Sequence, residues 1–332
     1  MSVKIGVIGS GSWATAMIKM LTDNQQQKEI NWWVRKQEDV DYMLQYGHNP
    51  SYLSAVEIKL PKENLLTTVK QVIQNSDIII LNTPAAYLED ALTGLSPADF
   101  EGKLLVSAIK GIVPSVKMII GEYLFNNFGV PMEDIVVIAG PCHAEEVSLE
   151  KLSYLTFASK NTANAAIVAQ FFNTHYINTI ISPDMFGAEY GAVLKNIYAL
   201  ACGICHGLGY GDNFQAVLIS NAIREMEYFV NTIDPRSREI NQSAYLGDLL
   251  VTSYSQFSRN RTFGNMIGKG YSVKSAQLEM NMVAEGYFAS ACVQEIILKH
   301  QLIMPICNTV YQILYNKQSA STEIKYLAEK LT

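Results

Sequence analysis

Residues 3–16 read VKIGVIGSGSWATA. An apolar run, Val3, Ile5, Val7 and Ile8, stops at Gly9, and Gly9-Ser10-Gly11-Ser12-Trp13-Ala14 spells G-x-G-x-x-A. Met17, Ile18, Met20 and Leu21 then recur at helical spacing. The stretch predicts a strand, a tight turn and a helix. Gly9 permits the turn. Gly11 removes a side chain where a pyrophosphate approaches the backbone, and Ala14 lets the helix lie close to the strand. The N–H groups and dipole of the helix start then favour the phosphates of a dinucleotide. The motif alone is weak evidence; its position between a strand and a helix gives it weight.

Working outward, the first half alternates strand and helix. Strands are expected at 3–9, 29–34, 77–82, 103–109, 134–139 and 153–158, with helices at 13–23, 37–46, 85–93, 114–127 and 161–174. Several strands are continuous apolar runs, as in parallel strands buried on both faces. The alternation predicts a doubly wound parallel α/β sheet of the Rossmann type over 1–181. After Ser182-Pro183-Asp184 the pattern changes, and apolar-periodic segments at 185–208, 213–231, 272–280, 284–300 and 305–316 predict an all-α domain over 182–332. A cleft between two such domains is a usual substrate site.

Bulk properties narrow the class. The chain has 332 residues, 49% hydrophobic and 17% charged, enough for two cored domains and unlike a disordered chain. Its 25 basic and 31 acidic residues give a net charge of −6, which disfavours nucleic acid or an anionic membrane surface as partner. No apolar run approaches the ~20 residues of a membrane span, and no signal segment is visible, so no membrane insertion is expected. Five cysteines without a signal segment read as reduced thiols in the cytoplasm. Cys202 and Cys205, beside His206, lie in an apolar helical stretch and read as a buried face; no metal site is expected.

Two features bear on the cofactor and the chemistry. The second strand ends Trp33-Val34-Arg35-Lys36, without the acid that would hold a ribose 2′-hydroxyl, so Arg35 leans the reading toward NADP while leaving NAD open. Lys195 stands in an apolar helix among Gly191, Ala192, Leu194, Tyr198 and Ala199. Burial lowers a lysine pKa and suits the amine to general-base work; a lysine reaching solvent along its stem is the plainer alternative. Lys110 sits at the carboxyl end of a strand, where ligands bind in open α/β sheets.

GSGSWATA, IKG at 109–111, GPCHAEE at 140–146, LKNIYALACGICHGLGYGDN at 194–213, LGDLLVT at 246–252, SRNRTFG at 258–264 and VAEGY at 283–287 occur in order along nearly the whole chain. Together they resemble the bacterial NAD(P)-dependent glycerol-3-phosphate dehydrogenases. The resemblance implies an N-terminal Rossmann domain and a helical domain of the 6-phosphogluconate-dehydrogenase-like type. It also implies a cytoplasmic homodimer that makes sn-glycerol 3-phosphate from dihydroxyacetone phosphate for phospholipid synthesis. Position by position it implies Lys195 as the base, with Lys110 and Asp248 completing the catalytic group. Ser258, Arg259 and Asn260 would hold phosphate, with Gly140 and Cys142 also near substrate. Gly9, Gly11, Ser12, Trp13, Arg35, Ala144, Val283 and Glu285 would meet the dinucleotide, Lys110 and Arg259 contributing there too.

The chain departs from that family at Cys142, where a hydroxyl residue usually follows Gly-Pro; a thiol is a poorer donor. His143 reads as a packing residue, since the lysines already account for proton transfer. Other readings are a β-hydroxyacid or 6-phosphogluconate-type dehydrogenase on the same architecture, and a non-catalytic NAD(P) sensor. The cluster Ser258-Arg259-Asn260-Arg261 with Gly247-Asp248 disfavours the first. The joint presence of Lys110, Lys195 and Asp248 disfavours the second.

Overall fold

The computed structural model describes residues 2–280 and 284–332, so the expected contact Val283 lies outside the described residues. The chain divides into two compact units, 1–109 with 118–185, and 110–117 with 186–332.

The first unit is built on an eight-stranded sheet. In chain order its strands are β1 (Val3–Ile8), β2 (Lys28–Trp33), β3 (Leu65–Leu66), β4 (Ile78–Leu81), β5 (Leu104–Ser107), β8 (Ile135–Ala139), β9 (Ser153–Ala158) and β10 (Ile177–Ser182); the short strands β6 (Ile112–Val113) and β7 (Met118–Ile119) lie outside this sheet. The sheet order is β10-β9-β8-β5-β4-β1-β2-β3, so the order reverses between β1 and β4. Ligands of open α/β sheets bind at such a switch point, beyond the carboxyl ends of the strands. Helices α1 (Ser12–Asp23), α2 (Gln37–Tyr46), α3 (Val69–Gln74), α4 (Leu88–Ala91), α5 (Ile120–Phe128), α6 (Ala144–Ser148) and α7 (Thr162–Ala169) connect the strands. The runs of β1, β4 and β8 are buried because apolar side chains face neighbours on both sides. Helix α1 buries Ala14, Met17, Ile18 and Leu21 in the same core.

The Rossmann-type fold stands, with local departures from the sequence reading. β8 and β9 pair antiparallel, so the sheet is mixed at one end. β10 was not expected: its Asn178, Ile180 and Ile181 are exposed on an edge strand, so it lacks the apolar run that marks a buried one. The helix expected over 114–127 starts at Ile120, because Pro114 and a left-handed Lys117 (φ 57°) interrupt its beginning.

The second unit is helical, with α8 (Met185–Gly207), α9 (Asp212–Ile233), α10 (Asp248–Tyr254), α11 (Arg259–Gly268), α12 (Val273–Glu279), α13 (Glu285–His300), α14 (Pro305–Leu314) and α15 (Ala320–Ala328). In it α8 and α11 cross in close backbone contact. A Cβ on Gly203 would lie 2.1 Å from Arg261 O, and one on Gly264 would lie 2.2 Å from Leu200 O. Gly207 and Gly268 repeat this closeness one turn further, facing Asn265 O and Ile204 O at 2.4 and 2.3 Å. Backbones approach this closely only where side chains are absent.

Candidate active site

In the first unit, Gly9 and Gly11 are glycines for different reasons. Gly9 has φ +134°, and a Cβ there would lie 2.5 Å from Asn82 O, so protein geometry alone demands it. Gly11 has φ −81° and ψ −173°, open to any residue, and a Cβ there would meet no atom within 4 Å. The missing side chain leaves room in front of the N-terminus of α1, whose cap residue, Gly11 itself, makes no side-chain capping hydrogen bond. Nearby, at the carboxyl ends of β4 and β5, the buried polar atoms Asn82 Nδ2, Thr83 Oγ1 and Ser107 Oγ have no partner among the described residues. A vacant approach, an uncapped helix start and orphaned polar groups fit a dinucleotide with its pyrophosphate on the loop.

The other expected cofactor residues of this unit spread around that edge. Ser12 and Trp13 open α1, Ala144 opens α6, and Arg35 and Lys36 are exposed beyond β2. Gly140 follows β8 with φ +122°, where a Cβ would lie 2.7 Å from Tyr154 O. Cys142 is buried, and its thiol donates to that same carbonyl at 3.2 Å. His143 is the residue before the first turn of α6 and makes no side-chain cap bond there.

In the second unit three expected residues converge. Lys195, midway along α8, and Asp248, at the start of α10, form a buried ion pair through Asp248 Oδ1. Lys110 Nζ lies 3.4 Å from the other carboxylate oxygen, Oδ2. Asp248 follows a π turn over Ser243–Gly247, and its carbonyl accepts from the Thr252 hydroxyl at 2.6 Å. Burial pulls the Lys195 pKa down to about 7, with Lys110 adding repulsion and Asp248 opposing. Burial would raise the Asp248 carboxyl, but the two ammonium groups overcome it and hold the pKa below its usual value. The result is an amine poised near neutrality beside a fixed carboxylate and a second cation.

Asn196 was not among the expected site residues. It is buried next to Lys195, and its Nδ2 donates to the Lys110 carbonyl at 2.8 Å, tying that segment to α8. The signal was an amide beside a lysine in an otherwise apolar helix.

Ser258 caps α11, its hydroxyl accepting from Arg261 N at 3.3 Å. Arg259 is exposed at the first position of α11. Asn260 is buried, and its Oδ1 accepts from Gly286 N at 2.9 Å, which places it beside Glu285 at the start of α13. Cys202 and Cys205 are buried in α8, with burial raising their thiols to about 11 and about 12; neither is a reactive thiolate at neutral pH. Among the described residues no group of three metal-ligating side chains occurs.

A Rossmann-type sheet with an open glycine loop, and a helical unit carrying a buried lysine–carboxylate pair, define an NAD(P)-dependent dehydrogenase. The model of the NAD-dependent glycerol-3-phosphate dehydrogenase N-terminus matches residues 4–165, and that of the C-terminus matches residues 184–325. The glycerol-3-phosphate dehydrogenase (NAD(P)+) of Bacillus velezensis is 33% identical over 99% of this chain and 94% of its own length. Its counterpart from Bacillus subtilis is 33% identical over 98% and 93%. The crystal structure of glycerol-3-phosphate dehydrogenase from Coxiella burnetii superposes with a TM-score of 0.90 at 27% identity, covering 99% of both chains. The chain belongs to the NAD-dependent glycerol-3-phosphate dehydrogenase family.

Proposed function

We propose that the chain transfers hydride reversibly between NAD(P)H and dihydroxyacetone phosphate, giving sn-glycerol 3-phosphate. The observation that carries this is the Lys195–Asp248–Lys110 cluster, which meets the proton demand of a carbonyl–alcohol interconversion. The nicotinamide, when bound, supplies or accepts the hydride at C2. Lys195 does the proton work: as ammonium it gives its proton to the carbonyl oxygen, and as amine it takes the proton of the alcohol. Asp248 fixes the amine in place, and Lys110 offers positive charge to the oxygen as it becomes alkoxide-like.

The phosphate end falls to the start of α11. Arg259 presents a guanidinium fork, the Asn260 amide has donors beyond its bond to Gly286, and Ser258 contributes a hydroxyl. Gly140 contributes backbone, whereas the Cys142 thiol spends its hydrogen bond on Tyr154 O and so steadies the turn. Ser12, Trp13, Ala144, Glu285 and Val283 complete the dinucleotide contacts, and Arg35 faces the adenosine ribose. In this reading 1–181 binds the cofactor and contributes Lys110, and 182–332 supplies the rest of the chemistry. The chain works as a cytoplasmic homodimer whose product feeds glycerophospholipid synthesis.

No helix among the described residues is long and apolar enough to cross a membrane. Loss of absorbance at the reduced-nicotinamide band on adding dihydroxyacetone phosphate tests the activity. Cofactor binding without any such loss would refute it.

A further inference from the structure

The carbonyls of the glycine loop all point into protein. The buried indole of Trp32, in β2, donates from Nε1 to Gly9 O at 2.6 Å. The buried amide of Asn49 donates to Ser10 O at 3.1 Å and to Thr15 Oγ1 at 3.0 Å. The Thr15 hydroxyl and N–H in turn reach Gly11 O at 3.1 and 2.9 Å. Asn49 is held by its other end, Oδ1 accepting from Ser51 N and Tyr52 N at 3.0 and 3.1 Å.

A trans peptide is planar, with its C=O and the following N–H antiparallel. Turning the Gly9 carbonyl toward Trp32 therefore aims Ser10 N–H the opposite way. Turning the Ser10 and Gly11 carbonyls inward does the same for Gly11 and Ser12 N–H. Among the described residues nothing accepts from these three N–H groups. Successive N–H groups facing one way form an anion-binding concavity.

We propose that Trp32, with Asn49, is a positioning residue for the dinucleotide pyrophosphate: it ties back the loop carbonyls so that three consecutive N–H groups face the phosphates. The proposal rests on the assignment of the pyrophosphate to this loop. Trp32 touches no ligand; it acts through the Gly9 peptide. A one-residue contrast is built into the strand. The neighbouring Trp33 also donates its indole N–H, to Thr67 O at 3.0 Å, and that bond does not touch the loop.

The test is calorimetric binding of NADPH and of ADP-ribose to the full chain, for wild type, Trp32→Phe, Trp33→Phe and Gly11→Val, with thermal melting of each. Trp32→Phe keeps an aromatic ring and removes the donor. The expected result is a roughly 5- to 10-fold weaker Kd for both ligands. At saturating NADPH, kcat and the dihydroxyacetone phosphate KM should stay within twofold, and Trp33→Phe should bind as wild type. An unchanged Kd in Trp32→Phe would overturn the proposal. So would equal weakening in both tryptophan variants, which would make Trp32 a packing residue only. Gly11→Val, whose Cβ meets no protein atom within 4 Å, should abolish binding; undiminished binding would remove the pyrophosphate from the loop and the reading beneath the proposal with it.

Discussion

Lys195 and Asp248, 53 residues apart in sequence, form a buried ion pair in which the lysine has 5% and the aspartate 2% of its side chain exposed. Desolvation lowers the amine, and the carboxylate keeps it from being lowered further. Removing either partner leaves a buried charge with one neighbour fewer, which is strongly unfavourable. Asp248→Asn should therefore lower kcat by on the order of 100-fold. It should also move the pH midpoint assigned to Lys195 downward, since the anion that raises it is gone. An unmoved midpoint in the kcat profile would detach Asp248 from the amine.

The pH dependence has opposite signs in the two directions. Oxidation of glycerol 3-phosphate needs the neutral amine, so kcat should rise with pH through about 7 and then level. Reduction of dihydroxyacetone phosphate needs the ammonium, so kcat should fall through the same region. Parallel profiles in both directions would show that another group carries the proton.

Arg259→Ala should raise the KM for dihydroxyacetone phosphate by roughly 10- to 100-fold, as expected for loss of a charged phosphate contact. Steady-state kinetics at saturating cofactor check this. An unchanged KM removes Arg259 from the phosphate site.

The α8–α11 crossing predicts a stability effect. Gly203→Ala or Gly264→Ala places a methyl about 2 Å from a backbone oxygen, so the helices must separate. Chemical denaturation should show a loss of about 3 kcal/mol for either variant, at the upper end of overpacking costs. Gly11→Ala, whose Cβ meets nothing, should be near neutral.

Glu225 gives a second pH test. It is buried in α9, caps the start of α14 by accepting from Ile306 N and Cys307 N, and burial raises its pKa from 4.5 to about 7. Its folded pKa lies above the unfolded one, so between pH 4.5 and about 7 the folded state holds the extra proton. Its contribution is full below pH 4.5 and is lost as pH rises through about 7. Unfolding free energy should fall across that window in wild type, and the slope should shrink in Glu225→Gln.

How much was legible in the sequence follows from where each interaction lives. The glycine loop and the strand–helix alternation are local patterns, and they were readable; the apolar setting of Lys195 was readable too, but its pattern left burial and reach to solvent both open, and the structure shows it buried. The edge strand β10 was not, because exposed Asn178, Ile180 and Ile181 give no buried-strand signature. Helix α11 escaped because its first turn carries Arg259, Asn260 and Arg261, which interrupt the apolar period; α10 escaped although it is no shorter than α12. The Lys195–Asp248–Lys110 contact spans 138 residues between its outermost carboxylate and ammonium, so no local pattern joins the three; the family resemblance groups them, and the structure supplies the contact itself. Residue type indicated a role for Asn196 and Trp32 only after their carbonyl partners were seen.

The most direct measurement is NADPH oxidation with dihydroxyacetone phosphate by wild type and Lys195→Ala side by side, with the NADPH Kd of each. Wild type should turn over, and the variant should lose on the order of 10³-fold in kcat with an unchanged Kd. Wild-type protein that binds NADPH but never oxidises it, or a variant that keeps its kcat, would contradict it.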